Sequence, residues 1–287
     1  MRYAKPKSID EALALLAQDR WRILAGGTDF YAAQGRQPHR KSVLDINGLD
    51  ELRGIRQTPA HYVIGARTTW TDLIEQGGLP AAFDALRQSA AEIGSFQVQN
   101  VGTIGGNLCN ASPAADGVPP LLVLDAEVEL RSRAGRRRLP LAHFILGNRR
   151  TAREREELLT AIRIPKGATT GTSHFIKLGA RRYLVISIAM AAARIVTGQD
   201  GKVAQAALAI GSCSEVATRL GQLEAAMAGR AAGAALGALV GAHRFDELSP
   251  IDDVRATADY RRLAAREMTL RALRGALGLP LGPEIEA

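Results

Sequence analysis

The sequence predicts an α+β protein: two α/β lobes, followed by a small C-terminal domain in which an antiparallel sheet is backed by helices. Three observations carry that expectation. A helix signal and two short apolar strands open the chain, strands separated by helical segments occupy its middle, and a hairpin signal followed by long helical patterning ends it.

The opening Ser8-Ile9-Asp10-Glu11 has capping-box spacing, and Ala12, Leu13, Leu15 and Leu16 continue it as a helix. Trp21 to Ala25 then reads as a buried strand ending on Gly26-Gly27, and Lys41 to Ile46 as a second strand closed by the Asn47-Gly48 turn. Tyr62 to Ala66 is another strand, with helical segments at Thr71 to Glu75 and Ala81 to Ala91 behind it. Val128 and Leu130 alternate ahead of the Ala134-Gly135 turn, and Leu158 to Ile164 stops at Pro165 as a strand should. Residues Lys166 to Gly171, rich in Gly and Thr, make the linker. The expected division is therefore 1–170, with lobes of about 1–55 and 56–170, and 171–287. In the last part, Ser187 to Val196 and Val203 to Gly211 flank the turn Gly198-Gln199-Asp200-Gly201. An Ala-rich helix from Glu224 to Val240 follows, then a helix from Asp253 to Leu277 with Leu263, Leu270, Leu273 and Leu277 on one face.

Composition narrows the function classes. At 287 residues, 46% hydrophobic and 23% charged, the chain has enough apolar surface to fold, which excludes intrinsic disorder. Its longest uncharged stretch, Ile93 to Ala115, is filled with Gly, Asn, Gln and Ser, so it is not a membrane span. A net charge of +8 leaves nucleic acid, an acidic ligand or an acidic partner open. Cys109 and Cys213 are too few for a disulfide scaffold or an all-cysteine zinc or iron–sulfur site within this chain. His39, His61, His143, His174 and His243 are scattered without metal-ligand spacing, so no metal site is expected, and no catalytic dyad is expected if a bound cofactor carries the chemistry. The N-terminus lacks the apolar core of a signal peptide, and the expected location is the cytoplasm.

Two glycine-rich segments carry the chemistry. Leu24-Ala25-Gly26-Gly27-Thr28-Asp29-Phe30 puts two glycines directly after a buried strand, where backbone amides can converge on a phosphate oxygen and Thr28 adds a hydroxyl. The plain alternative is a strand-to-helix turn with Asp29 as a cap. The second segment, Asn100 to Asp116, contains Gly102-Thr103-Ile104-Gly105-Gly106-Asn107 and reads as a long loop rich in neutral donors. Neither has the Lys-Ser/Thr of a P-loop or the spacing G-x-G-x-x-G. Two donor-rich loops from different lobes suggest a long dianionic ligand, such as a dinucleotide, lying between them.

At these residues the chain resembles the FAD-binding medium subunit of the molybdenum hydroxylases, the group containing xanthine dehydrogenase and carbon monoxide dehydrogenase. The resemblance also takes in Tyr3 to Leu16, Ser112-Pro113 with Asp116, Glu157 to Pro165, Phe175 to Arg182, and the tail Ile251 to Arg255 with Tyr260-Arg261-Arg262. It implies a PCMH/vanillyl-alcohol-oxidase-type fold in which two lobes clasp FAD, followed by a C-terminal domain like that of the carbon monoxide dehydrogenase flavoprotein. By position, Ile23, Leu24, Ala25, Gly26, Gly27, Thr28, Asp29 and Phe30 would wrap the pyrophosphate, and Thr103, Ile104, Gly105, Gly106 and Asn107 would continue the cradle. Asp116 would bond the sugar or ribitol side, Ile93 and Leu159 would offer apolar surface, and the cation of Lys177 would lie near the flavin and favour its anionic reduced form. Each has a plainer role: core for Ile93 and Leu159, a helix cap for Asp116, a solvated strand face for Lys177.

The resemblance further implies partners: a molybdopterin-containing large subunit, a [2Fe-2S] small subunit, and NAD or another electron acceptor. The cysteine-bearing insertion of the related 4-hydroxybenzoyl-CoA reductase subunit is missing, so electrons would come from a separate subunit. Where some members have acidic residues after the arginine pair Arg181-Arg182, this chain has Tyr183-Leu184-Val185-Ile186. Tyr183 is therefore a candidate either to shield a flavin face or to pack. A self-contained flavin oxidase of the same fold is the alternative enzyme. A basic nucleic-acid-binding protein is the alternative of another class, but Arg136-Arg137-Arg138 and Arg149-Arg150 are short runs with few aromatics, better suited to solvated turns or subunit contacts.

Overall fold

A computed structural model of the chain describes residues 2–32, 41–182 and 184–282; His39 and Tyr183 lie outside the described residues. The first lobe consists of β1 (Tyr3–Ala4), α1 (Ile9–Gln18), β2 (Trp21–Leu24) and β3 (Ser42–Asp45). The strands form a parallel sheet in the order β1-β3-β2. Ser8 caps α1 by accepting from the Glu11 amide, while the Glu11 carboxylate accepts from Lys7 instead of closing the box on Ser8. Ile9, Ala12, Leu13 and Leu16 bury one face of α1 on Leu44 and Ile46.

The second lobe begins with β4 (Ile55–Gln57) and β5 (His61–Gly65), then α2 (Trp70–Glu75), α3 (Asp84–Glu92), α4 (Phe96–Val101), α5 (Ile104–Asn110) and α6 (Val118–Val123). It continues through β6 (Glu127–Ser132), β7 (Gly135–Pro140), α7 (Leu141–Phe144), β8 (Ile145–Gly147), β9 (Arg150–Thr151) and β10 (Leu158–Pro165). Its main sheet is antiparallel, in the order β4-β5-β10-β6-β7. The arginine run 136–138 lies on β7 rather than in a solvated turn. Arg137 forms a two-pronged pair with Glu157 (2.5 and 2.8 Å), and Arg138 lies 3.3 Å from the buried carboxylate of Glu129.

The third part contains β11 (Thr172–Leu178), β12 (Ala189–Thr197), β13 (Val203–Gly211) and β14 (Thr218–Arg219), antiparallel in that order, with α8 (Gly221–Met227), α9 (Leu236–Ala242) and α10 (Ala258–Ala276). Alternation along this sheet sends its side chains to two cores. Phe175, Met190, Ala192, Ala207 and Ala209 join the core of the second lobe, while Ala191, Ala193, Ile195, Leu208 and Ile210 pack with α8, α9 and α10. The sheet is thus a shared wall.

Two helix expectations are corrected. The Ala-rich run is broken between α8 and α9, where Gly229 has φ +73° and Ala231 bridges to Lys202. The last helix starts at Ala258 and buries Ala264, Ala265, Met268, Ala272 and Leu273, leaving Leu263 exposed. Small residues win that face because they allow close approach to the alanines of β12.

The stretch before α10 is an acidic turn. Arg261, fully buried, donates from Nη1 to the carbonyls of Ile188 (2.5 Å) and Ser212 (3.0 Å) and from Nη2 to Asp253 (2.7 Å). Partial burial pushes the Asp253 carboxyl up, but the amides of Arg255 and Ala256 and the guanidinium groups of Arg261 and Arg255 outweigh it and hold the group well below the ordinary range. A depressed carboxylate stabilises the fold above its unfolded pKa of about 4, and that contribution is lost as pH falls through the folded value. Asp253→Asn is therefore expected to lower the urea midpoint at pH 7, with the gap from wild type narrowing below about pH 4.

Candidate functional site

A cleft of about 1220 Å³ opens between the two lobes, walled by the turn after β2, the start of β3, the Ala66 to Trp70 segment, residues from Ile93 to Asn110, and the Arg149 to Leu159 segment. Of the residues expected to hold a cofactor, Ile23, Ala25, Gly26, Gly27, Thr28, Asp29, Phe30, Ile93, Thr103, Gly105, Gly106, Asn107 and Leu159 line it.

The turn after β2 is positioned by backbone contact. A Cβ on Gly26 would sit 1.9 Å from the carbonyl oxygen of Val101, so only glycine lets this turn lie on the second lobe. Gly27 has φ +76°, the left-handed region where glycine is at ease. Asn47 holds the base of the turn by donating from Nδ2 to the Ala25 carbonyl (2.9 Å), and its own amide donates to Asp45 (2.9 Å). On the far side, Arg22 donates to the Phe30 carbonyl (2.7 Å) and its guanidinium lies 4.1 Å from the centre of the Phe30 ring. The Phe30 amide closes the turn on Gly27. The amides of Gly26, Gly27, Thr28 and Asp29 take no partner among the described residues. A row of unspent donors at the edge of a cleft is an anion-binding arrangement.

The second segment differs from the expected long loop: it folds into α4 and α5. Thr103 caps α5 by accepting from the Gly106 amide (3.1 Å), and Ile104, Gly105 and Asn107 donate to the carbonyls of Thr68, Ala66 and Thr103. Those amides are spent inside the protein. Ile104 is fully buried in the core and does not line the cleft. What this segment offers instead is the exposed backbone of Gly106, the Thr103 hydroxyl proton, and the Asn107 side chain, whose Oδ1 is buried without a partner.

Ile93 and Leu159 are both core and wall. Leu159 is buried, at an irregularity in the β10–β6 register between Leu159 and Ala161, and Ile93 packs partly buried on the same core. Leu24, half-buried, stands behind the glycine turn and outside the wall.

Asp116 and Lys177 are also outside the cleft wall, and neither has its plainer role. Lys177 Nζ lies 2.8 Å from Asp116 Oδ2 and donates to the Glu92 carbonyl (3.0 Å), while Ser187 donates to Asp116 Oδ1 (2.6 Å). Both side chains are buried, 5% and 10% exposed, so the pair joins β11 to the second lobe directly behind Ile93. Burial pushes the Asp116 carboxyl up, against the pull of Lys177 and Ser187. A cation so closely paired presents little net charge.

Charge is what residue-type reasoning missed. Among the described residues, Arg20, Arg22, Lys41, Arg149, Arg153 and Arg155 line the cleft against a single carboxylate, Asp29. Arg153 donates to the carbonyls of Glu154 and Glu157, and its charge also acts on the Glu157 carboxylate. The available signal was the Arg149-Arg150 pair, but its direction depends on the β8–β9 turn. Cys109 is exposed on the cleft wall, while Cys213 is buried in the C-terminal domain, where burial pushes its thiol up to about 12. Among the described residues no three His, Cys, Asp or Glu side chains gather as a metal site, and no helix is long and apolar enough to cross a membrane.

Unspent amides at a glycine turn, cationic walls and apolar surface from Trp70, Ile93 and Val98 suit a dinucleotide with an aromatic end. The fold and this cleft define a bilobed α+β cofactor-binding protein with an appended sheet-and-helix domain. The chain belongs to the molybdopterin dehydrogenase FAD-binding family: residues 1–167 match the FAD binding domain in molybdopterin dehydrogenase, and residues 174–276 match the CO dehydrogenase flavoprotein C-terminal domain. It is 31% identical over 278 residues to the carbon monoxide dehydrogenase medium chain of Hydrogenophaga pseudoflava, covering 96% of each. With the nicotinate dehydrogenase FAD-subunit of Eubacterium barkeri it shares 38% identity over 190 residues, 64% of each chain, and so spans less than two thirds of that relative. Among solved structures, carbon monoxide dehydrogenase from Hydrogenophaga pseudoflava superposes with TM-score 0.85 at 31% identity over 97% of each chain. Reconstituted CO dehydrogenase from Oligotropha carboxidovorans gives 0.87 at 30% over 98% of each.

Removing Lys177 would strand the Asp116 carboxylate in a dry site. Lys177→Met is expected to cost about 3–5 kcal/mol in urea unfolding at pH 7. Without the lysine, burial acts on Asp116 with less to oppose it and favours the uncharged carboxyl, so the deficit shrinks as pH is lowered.

Proposed function

We propose that this chain is the FAD subunit of a cytoplasmic molybdenum-dependent hydroxylase, taking electrons from a [2Fe-2S] subunit and passing them to NAD or another acceptor. The complex would also contain a molybdopterin-bearing large subunit that oxidises the substrate. Support for the assembly comes from the relatives, which include a carbon monoxide dehydrogenase medium chain and a nicotinate dehydrogenase FAD-subunit. The observation that carries the cofactor's placement is the row of unpartnered amides from Gly26 to Asp29 facing a cationic cleft.

In this reading the turn from Ile23 to Phe30 binds the diphosphate, with Leu24 shaping the turn from behind. Thr103 and Asn107 donate from the opposite lobe, Gly105 and Gly106 give backbone clearance, and Ile104 anchors their helix in the core. Ile93 and Leu159 supply apolar wall. Asp116 and Lys177 lie outside the wall, so in this reading they would act on the ribitol and flavin end only from behind it, by holding the Glu92 carbonyl next to Ile93. FAD, when bound, supplies reversible acceptance of two electrons. The protein binds it, orients it and sets the charge around it.

The purified chain should show flavin absorbance or take up added FAD; a colourless protein unable to do either overturns the proposal. It should co-purify with two other subunits when the neighbouring genes are expressed with it. Reduction of the flavin by a small substrate in the isolated chain would overturn the heteromeric reading in favour of a self-contained oxidase.

Gly27→Val is expected to abolish FAD retention. An added Cβ would meet only Leu24 Cδ1 at 3.5 Å and Tyr31 Cε2 at 3.7 Å, so the fold should survive. Valine nevertheless resists a φ of +76° and would turn the amides away. Flavin occupancy read from the visible spectrum, beside an unchanged circular dichroism spectrum, checks this.

A further inference from the structure

The β8–β9 turn is fastened on three sides. The Asn148 amide donates to Glu215 Oε1 (3.1 Å) in the C-terminal domain, the Arg149 amide donates to the Ala111 carbonyl (2.9 Å) at the end of α5, and Arg150 Nη2 donates to the Leu146 carbonyl (2.9 Å). Arg149 and Ala111 both hold left-handed backbone, with φ of 58° and 47°. For residues with a Cβ, that conformation costs free energy and persists only where the surroundings impose it.

The consequence is a guanidinium carried across the mouth of the cleft. Arg149 Nη1 bonds the side-chain oxygen of Asn110, which is neutral, and stands 3.9 Å from Asp29 Oδ1. Nε and Nη2 take no partner among the described residues. Asp29 also supplies the last of the unpartnered amides of the glycine turn. A cation from one lobe therefore faces a row of donors from the other, with one loosely held carboxylate between them.

We infer that Arg149 is the charged ligand of the cofactor's diphosphate and that Asp29 is the counter-charge it exchanges on loading. The inference rests on the FAD reading above. Its chemistry is general: a guanidinium matches paired phosphate oxygens with parallel N–H donors, and a dianion outcompetes a single exposed carboxylate held at 3.9 Å. A pre-fastened side chain also loses little freedom on binding. The two residues should then act with opposite sign. Removing the arginine weakens binding; removing the carboxylate relieves a competitor and the only acidic side chain of the wall among the described residues.

The test is titration calorimetry of the full apo chain with FAD and, separately, with ADP, which carries a diphosphate and no flavin. Arg149→Gln should raise the Kd for both by about tenfold or more, Arg149→Lys should recover part of the loss, and Asp29→Asn should bind both at least as tightly as wild type. Thermal midpoints of all three variants within a few degrees of wild type would show that the fold is intact. Unchanged affinity in Arg149→Gln, or a loss in Asp29→Asn as large as in Arg149→Gln, overturns the inference while leaving FAD binding intact. A wild-type chain that binds neither ligand overturns the FAD reading itself, and this inference with it.

Discussion

The two lobes meet where a backbone carbonyl occupies the space a side chain would need. Gly26 lies so close to Val101 that its missing Cβ is the condition for the contact. The geometry of the cleft follows from it. The turn that begins at Gly26 is pressed onto the second lobe on one side, pinned at its base by Asn47 and at its far end by Arg22, and its amides are left without partners among the described residues. Protein interiors seldom leave successive amides unpaired, because each carries a desolvation cost. At the rim of an open cleft that cost is small, and the donors remain available.

Opposite this turn, the structure spends its donors differently. α5 uses the amides of Ile104 to Asn107 to fasten itself to the Ala66 to Thr69 segment and to its own cap. The second lobe is rigid there for that reason, and it addresses a ligand with side chains and with the bare backbone of Gly106. A one-sided amide cradle facing a cationic wall suits an elongated anion better than a compact phosphate.

The C-terminal domain contributes more than an appended surface. Because β12 and β13 alternate small residues, one sheet closes two cores, and Met190 and Phe175 belong to the core that backs the cleft. Lys177 and Ser187 meet Asp116 across that junction, and Glu215 fastens the turn that aims Arg149. The contacts that dock this domain therefore also fasten one turn of the cleft wall.

How much of this was legible in the chain differs from residue to residue. Gly26 and Gly27 could be read either as a ligand turn or as a plain strand-to-helix turn, and β2, β3, β5, β10, β12 and β13 were visible from apolar runs bounded by turn residues. Asn100 to Asp116 could not be read as helix, since its Gly and Asn content argues against one; α5 forms because Thr103 caps it and the second lobe holds it. The last helix buries Ala265 and Ala272 rather than Leu263, a choice made by the alanines it packs on. By itself the sequence determined the three-part order, the strands and the two glycine segments, because those depend on local conformation and on the sign of burial. Only the tertiary structure decided which amides remain free, that Lys177 is neutralised by Asp116, and that Arg149 reaches the cleft. Each of those depends on distances between residues far apart in the chain, which no local pattern encodes.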